Sequence, residues 1–264
     1  TQKTFLTVSP GDTYLHNWHI DLLAEYLEAC SRREINRLII NMPPRMMKSI
    51  SVSVAWPAWL IGNNPSERVM AASFAESLAI KHSTDCRLVL QSHWYRRAFP
   101  DVLLTGDQNE KSKFVTTARG HRIAVSVGGS SIGEGGNILI VDDPLSPLRA
   151  ASKLSLQMVN DWFDQSFLTR LNDKKNGVIV LVMQRLAQND LTGHLLEKGG
   201  WEHLKLPGLA EERTIIDFGR VKKIRLPGEA LHEERESAAM LHERKHEMGS
   251  VAFAGQIQQR PAPA

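Results

Sequence analysis

The stretch Arg37–Ser49, RLIINMPPRMMKS, narrows the choice of fold more than any other part of the chain. Leu38, Ile39 and Ile40 form a short apolar run with the pattern of a buried strand. Asn41 and the Pro43-Pro44 pair break it. Arg45, Met46, Met47, Lys48 and Ser49 follow, and an apolar stretch rich in Val, Ala and Trp then runs on to Leu60. Strand, tight loop, Lys-Ser and helix is the layout of a phosphate-binding loop. In such a loop backbone N–H groups and a helix N-terminus face a polyphosphate, the lysine neutralises its charge and the hydroxyl binds Mg2+. Pro44, Arg45, Met46, Met47, Lys48 and Ser49 are the residues that would cradle the phosphates. Met42 and Met47 stand where glycines are usual, and glycine suits this loop because it has no Cβ to obstruct a close backbone approach. A strand followed by a Pro-started helix with an exposed Lys48 is the other reading, and the rest of the chain decides between them.

Asn137–Pro144, NILIVDDP, is the second decisive run. Four apolar residues make another buried strand, and Asp142 and Asp143 follow at its C-terminal end, the edge where parallel α/β sheets collect their chemistry. This is the layout of a Walker B element. Asp142 would belong to the Mg2+ shell, and Asp143 stands where most such ATPases keep a Glu that polarises the attacking water. An Asp-Asp-Pro turn is the alternative, and the Lys-Ser loop upstream weakens it. Val178–Met183, VIVLVM, is the most apolar run and belongs centrally in a sheet. It ends at Gln184-Arg185, a polar pair placed to feel a γ-phosphate or else a solvated strand end. Arg68–Ser73 reads as one more buried strand, Trp201–Leu206 as a last one, and Lys113–Thr117 with Arg122–Val127 as a hairpin turning near Arg119-Gly120. These runs predict an α/β fold with a mostly parallel central sheet flanked by helices.

Helical spacing of Trp18, Leu22, Leu23, Tyr26 and Leu27 predicts a helix within Leu15–Cys30, with Trp18 either against an adenine ring or in the core. Further helices are expected over Lys48–Ile61, Ala75–Leu90, Ala150–Leu171 and Asp190–Glu197. Gly128–Gly136, GGSSIGEGG, reads as a mobile loop at a site edge or as a flexible linker. From Glu211 charges dominate. His232, His242 and His246 within Leu231–Met248 read as part of a solvated helical face rather than a metal site, and Phe253–Gln259 leads to Pro/Ala punctuation like the start of a linker.

A length of 264 residues suits one large domain or two small ones, and 42% hydrophobic with 23% charged residues is the composition of a soluble globular protein. No run approaches the roughly 18 apolar residues that a membrane span needs, and the polar Thr1–Asp12 lacks the apolar core of a signal peptide. Cys30 and Cys86 lie far apart without metal-type spacing and are expected to be buried thiols in a reducing cytoplasm. A net charge of +3 permits a nucleic-acid partner without arguing for one.

Four segments, taken in order, resemble the large terminase subunit of tailed bacteriophages, the ATPase of the DNA-packaging motor. They are NMPPRMMKS, SFAESLA, GGSSIGEGGNILIVDDPLSP and LVMQRLAQNDLTGHLL, and the ending FAGQIQQRPAPA resembles that family's junction between motor and nuclease. The likeness covers nearly the whole chain. It implies an additional-strand, RecA-like P-loop NTPase fold with residues 1–264 as a single ATPase domain: an N-terminal adenine-side helix (1–36), an ATPase core (37–206) and a charged subregion (207–264) ending at a linker, with the nuclease domain absent and no DNA cutting expected. It implies ATP and Mg2+, and hydrolysis coupled to translocation of double-stranded DNA into a procapsid. Carried over, Arg45, Lys48, Asp143 and Gln184 form the catalytic group, with Gln184 relaying nucleotide state, and Ser49 and Asp142 hold the metal. The implied partners are double-stranded DNA, a portal protein, a small terminase subunit and further copies of the chain in a ring on the procapsid, with a monomer in isolation. No membrane is involved, and the setting is the cytoplasm of a bacterial host. Motors of this type take an arginine from the neighbouring subunit, for which Arg119, Arg122 and Arg149 are candidates.

Three rivals remain at the level of sequence. A helicase of similar core would need a second RecA-like domain that the chain is too short to hold. A degenerate P-loop module would bind nucleotide or packaging partners without efficient hydrolysis, and Met47 is its best support. A nucleotide kinase is disfavoured because no lid or acceptor-site pattern follows the loop.

Overall fold

The apolar runs assemble into one sheet whose strand order decides where the polar residues meet. A computed structural model describes residues 1–129 and 133–262. Ser130–Ile132 of the glycine-rich stretch and Pro263-Ala264 of the terminal punctuation lie outside the described residues. The strands are β1 (Arg37–Asn41), β2 (Arg68–Ser73), β3 (Leu104–Asn109), β4 (Lys113–Thr116), β5 (His121–Ser126), β6 (Ile138–Asp142), β7 (Val178–Met183) and β8 (Glu202–Lys205). Their order is β3-β4-β5-β2-β6-β7-β1-β8. From β5 to β8 in that order all neighbours are parallel, while β3 and β4 add an antiparallel edge. β7 lies between β1 and β6, and this inserted strand is the feature that defines the additional-strand class. Asn41 pairs with Met183, Val182 with Asp142, and Asp142 with Ser73, so the parallel strands end in line along one edge.

Alternation along the strands builds two cores. Leu38, Ile40, Ile138, Ile140, Val178, Val180 and Val182 point to one face, Ile39, Leu139, Val141, Ile179, Leu181 and Met183 to the other. Both faces are covered, which is why these strands read as unbroken apolar runs. Each fully buried aliphatic side chain contributes about 1.5–3 kcal/mol. The helices are α1 (Gln2–Val8), α2 (Trp18–Ser31), α3 (Trp56–Asn63), α4 (Glu76–Gln91), α5 (His93–Ala98), α6 (Lys153–Trp162), α7 (Leu191–Lys198) and α8 (Ala238–Met248). Leu22, Leu23 and Leu27 of α2 and Trp56 and Leu60 of α3 cover the first face, and Leu156 and Val159 of α6 with Leu191 and Leu195 of α7 cover the second. Among the described residues no helix is long and apolar enough to cross a membrane. Cys30 and Cys86 are buried free thiols, and burial pushes both up to about 12.

The expected helix over Lys48–Ile61 is not uniform. Ile50–Ala55 forms wide π-type turns before α3 begins. Pro57 has no N–H, so the Ser53 carbonyl four positions back cannot take an α-type hydrogen bond from it. The guanidinium of Arg122 reaches that carbonyl, Nη2 donating at 3.1 Å. The expected helix over Ala150–Leu171 likewise narrows to α6, continued by a π-type turn at Phe163–Phe167 and a tighter one at Leu168–Arg170. α1, α5 and β3 were not legible as elements, nor was the hairpin of β9 (Thr214–Phe218) and β10 (Val221–Arg225) in the charged region. That hairpin packs on α2, with Phe218 stacked on Tyr26 at a ring separation of 3.8 Å. Leu209, Ala230, Leu241, Phe253 and Ile257 form a small core of their own behind it.

Candidate nucleotide-binding site

The loop after β1 is held from three sides. Asn41 Nδ2 donates to Met183 O at 3.1 Å and to Thr192 Oγ1 at 3.0 Å, tying the loop's entry to β7 and α7. His203 Nε2 reaches Asn41 Oδ1 at 2.8 Å. His19 is fully buried, and desolvation drops it to about 3, so its neutral ring uses Nε2–H to donate to Met46 O at 3.2 Å. Arg45 and Met47 adopt φ of 65° and 68°, the left-handed region. A non-glycine residue there costs about 1–2 kcal/mol. Burial of the Met47 side chain, 6% exposed among Phe5 and Ile20 with Tyr14 and Ile50 against them, is worth about as much. The thioether has its own apolar seat, supplied by α1 and α2, and the backbone takes the turn that glycine would.

The charged groups meet beside this loop. Lys48 Nζ stands 2.7 Å from Asp143 Oδ2. Asp142 is fully buried and accepts hydrogen bonds from Ser49 Oγ at 3.0 Å and Ser53 Oγ at 2.6 Å. Burial pushes both carboxyls above the usual Asp range, against the pull of Lys48. His82 Nδ1 is 3.6 Å from Asp142 Oδ2, but burial and Arg122 hold that ring down at about 4, so the contact is not ionic at neutral pH. Asp143 has φ 45°, a strained setting of the kind that collects at functional sites. Gln184 N donates to Asp143 Oδ1 at 3.3 Å, and Gln184 Oε1 is buried without a partner among the described residues.

A cleft of about 660 Å³ opens over these groups, lined by Pro44, Arg45, Met47, Lys48, Ser49, Asp143 and Gln184 and closed by Phe5, Ser9, Asp12 and Thr13 from the N-terminal segment and by Arg235. Its size suits a nucleotide. The serine hydroxyl and carboxylate are hard oxygen donors of the kind that hold Mg2+ with few protein ligands, the rest coming from water and substrate phosphate. Among the described residues no group of three or more His, Cys, Asp and Glu could hold a metal ion.

The structure thus brings the loop residues, the Asp pair and Gln184 together, with Met46 buried behind the loop. It does not bring Trp18 there. Trp18 packs on the core, with the Arg225 guanidinium 5.9 Å from its ring, because its place at the start of α2 turns it toward the C-terminal region. Phe5 is the aromatic side chain lining the cleft. Arg185 is not free to meet phosphate, since Asp190 holds its Nε at 3.0 Å. Arg122 is wholly buried and cannot reach a neighbouring subunit, whereas Arg119 and Arg149 are exposed. Gly135 and Gly136 are close-packed rather than loose, for a Cβ would clash with Asn172 Oδ1 at the first and meet Arg68 O at 2.9 Å at the second. His232 lies outside α8, buried with its ring 5.4 Å from that of His19, not on a solvated helical face. Sequence reasoning missed Phe5, His19, Ser53 and Arg235. Only Ser53, one helical turn after Ser49, left a signal.

Sheet order, loop and carboxylate pair define an additional-strand P-loop NTPase fold. In fold the chain is similar to phage large terminase ATPase domains. The chain superposes on the ATPase domain of the Thermus phage P74-26 large terminase with TM-score 0.56 and 13% identity, covering 99% of each chain. It matches the large terminase of a thermophilic bacteriophage in complex with ADP at TM-score 0.55 and 10% identity, over 92% of this chain and 52% of that one. It matches the HK97 bacteriophage large terminase at TM-score 0.54 and 11% identity, over 82% and 45%. The chain therefore spans about half the length of the latter two proteins. No protein-family model and no curated protein matches it. At these identities the likeness establishes the fold.

Proposed function

We propose that the chain is an ATP-hydrolysing motor domain that powers translocation of double-stranded viral DNA into a procapsid. The observation that carries this is the meeting of Lys48 and Ser49 with Asp142 and Asp143 at the strand ends, on a loop in which Arg45 and Met47 take left-handed φ. In this reading Lys48 leaves Asp143 for the β/γ-phosphates, and Arg45 adds positive charge from the loop. Ser49 and Asp142 would hold Mg2+, which supplies charge neutralisation at those phosphates. Asp143, released from Lys48, accepts a hydrogen bond from the water that attacks the γ-phosphorus as the bond to the β-phosphate oxygen breaks. Gln184, bonded through its N–H to Asp143, would pass the state of the phosphates to β7.

Double-stranded DNA, a portal protein and a small terminase subunit are the proposed partners, in the cytoplasm of a bacterial host. A ring of copies would supply a trans arginine. Arg149 follows β6 at the cleft edge of the sheet and is the better candidate, because Arg119 lies in the turn before β5, at the opposite edge. Without that group the isolated chain hydrolyses slowly, by about 10³–10⁵ relative to the assembled motor. The test is MgATP hydrolysis by wild type and Lys48→Ala. Loss of turnover in the variant supports the reading, and equal rates reject it.

A further inference from the structure

We infer that Arg235, from the C-terminal part of the chain, is a direct ligand of the nucleotide's phosphates. The inference rests on the reading of the cleft as an ATP site and adds to it a residue that nothing in the loop pattern indicates. Arg235 lines the same cleft as Arg45, Lys48 and Gln184. Its Nε and Nη2 are buried and have no hydrogen-bond partner among the described residues. A buried donor without a partner is costly, and a guanidinium is shaped to give two parallel hydrogen bonds to phosphate. The carboxylates nearby do not meet this need. Asp143 is held by Lys48, Asp12 is exposed, and Glu236 faces Arg244 at 2.8 Å.

The segment that carries Arg235 is fixed to the phosphate loop. Asn17 Nδ2 donates to Leu231 O at 2.7 Å, and the His232 ring lies against His19, which itself donates to Met46 O. Arg235 N and Glu236 N both donate to His232 O, at 3.1 and 2.9 Å, closing a tight turn that presents the guanidinium. A phosphate chain in the cleft would thus be gripped from the loop on one side and from the C-terminal region on the other. Nucleotide occupancy would then be felt by the region that also carries β9, β10 and α8.

The experiment is calorimetric titration of the full chain with MgATP, and with adenosine as a competitor, for wild type, Arg235→Ala, Arg235→Lys and Lys48→Ala. Arg235→Ala is expected to weaken MgATP about tenfold or more and to leave adenosine unchanged. Arg235→Lys should recover part of the loss, as a charge without the fork. The nucleotide-free melting temperature of Arg235→Ala should equal or exceed that of wild type, since a structural role would lower it. Arg235→Ala that binds MgATP like wild type, or that loses adenosine and MgATP equally, overturns this inference and leaves the ATP site standing. Wild type that binds no MgATP overturns both. Lys48→Ala that binds like wild type counts against the loop alone.

Discussion

Ser49 Oγ donates a hydrogen bond to Asp142 Oδ1 across 3.0 Å, although 93 positions separate them in the chain. The pair is assembled by the fold, since β1 and β6 end on the same edge with only β7 between them. Removing the hydroxyl leaves Asp142 its bond from Ser53. Ser49→Ala is therefore expected to fold normally and to need roughly 10- to 100-fold more Mg2+ for half-maximal MgATP binding, the scale on which losses around a metal site fall. A Mg2+ titration of nucleotide binding decides it, and an unchanged midpoint removes Ser49 from the metal site.

Asp142→Asn should stabilise the nucleotide-free protein at neutral pH. Burial raises the folded-state pKa of Asp142 above its ordinary value of 3.8, outweighing Lys48, Arg122 and the two serine hydroxyls, while His82 beside it stays neutral. A group raised in this way favours the folded state fully below the unfolded value and loses that contribution as pH rises through the folded one. The gain from Asn should thus be present at pH 7 and vanish below about 3.8. Urea unfolding of both proteins across pH 3–8 reads the difference directly. MgATP hydrolysis by the variant should fall even as its stability rises, the trade expected where a site holds strain.

Met47 separates two effects that usually travel together. Met47→Ala removes the packing against Phe5 and Ile20 and keeps a non-glycine residue at φ 68°, so a loss of about 2–5 kcal/mol is expected. Met47→Gly loses the same packing but relieves about 1–2 kcal/mol of backbone strain. The glycine that phosphate loops commonly carry should therefore destabilise this chain, yet less than alanine does. Denaturant midpoints in the order wild type, Gly, Ala check the account, and Ala above Gly refutes it.

Asp190 is nearly fully buried and accepts from Arg185 Nε, Leu186 N, Ala187 N and Gly193 N. Asp190→Ala strands the Arg185 charge and uncaps α7, for a loss of about 3–5 kcal/mol. Asp190→Asn keeps an acceptor and should cost less. Gln184 immediately precedes Arg185 in the chain, so a variant that folds should also show weakened MgATP binding, which a parallel titration measures.

The parts of the fold that were legible in the sequence share one property. β1, β6 and β7 are buried on both faces, so hydrophobicity alone marks them, and the polar residues just beyond their ends stand out by contrast. The β9–β10 hairpin is the opposite case. Ile215 is 63% exposed and Ile224 47% exposed, and lysines and an aspartate between them erase the alternation that a half-buried strand should show. α1 is too short for a helical period to register, yet it supplies Phe5 to both the cleft wall and the seat of Met47. Arg235 was illegible because its setting depends on contacts between Asn17, His19, Leu231 and His232, none of which has a spacing to read.

Ser53 has two commitments. Its hydroxyl donates to Asp142, and its carbonyl accepts from Arg122 on β5. One residue thus joins the acidic end of β6 to β5, two strands away across β2. A displacement of the carboxylate as phosphate comes and goes would be delivered along that linkage to β5 and the antiparallel edge, a lever arm already cut into the architecture.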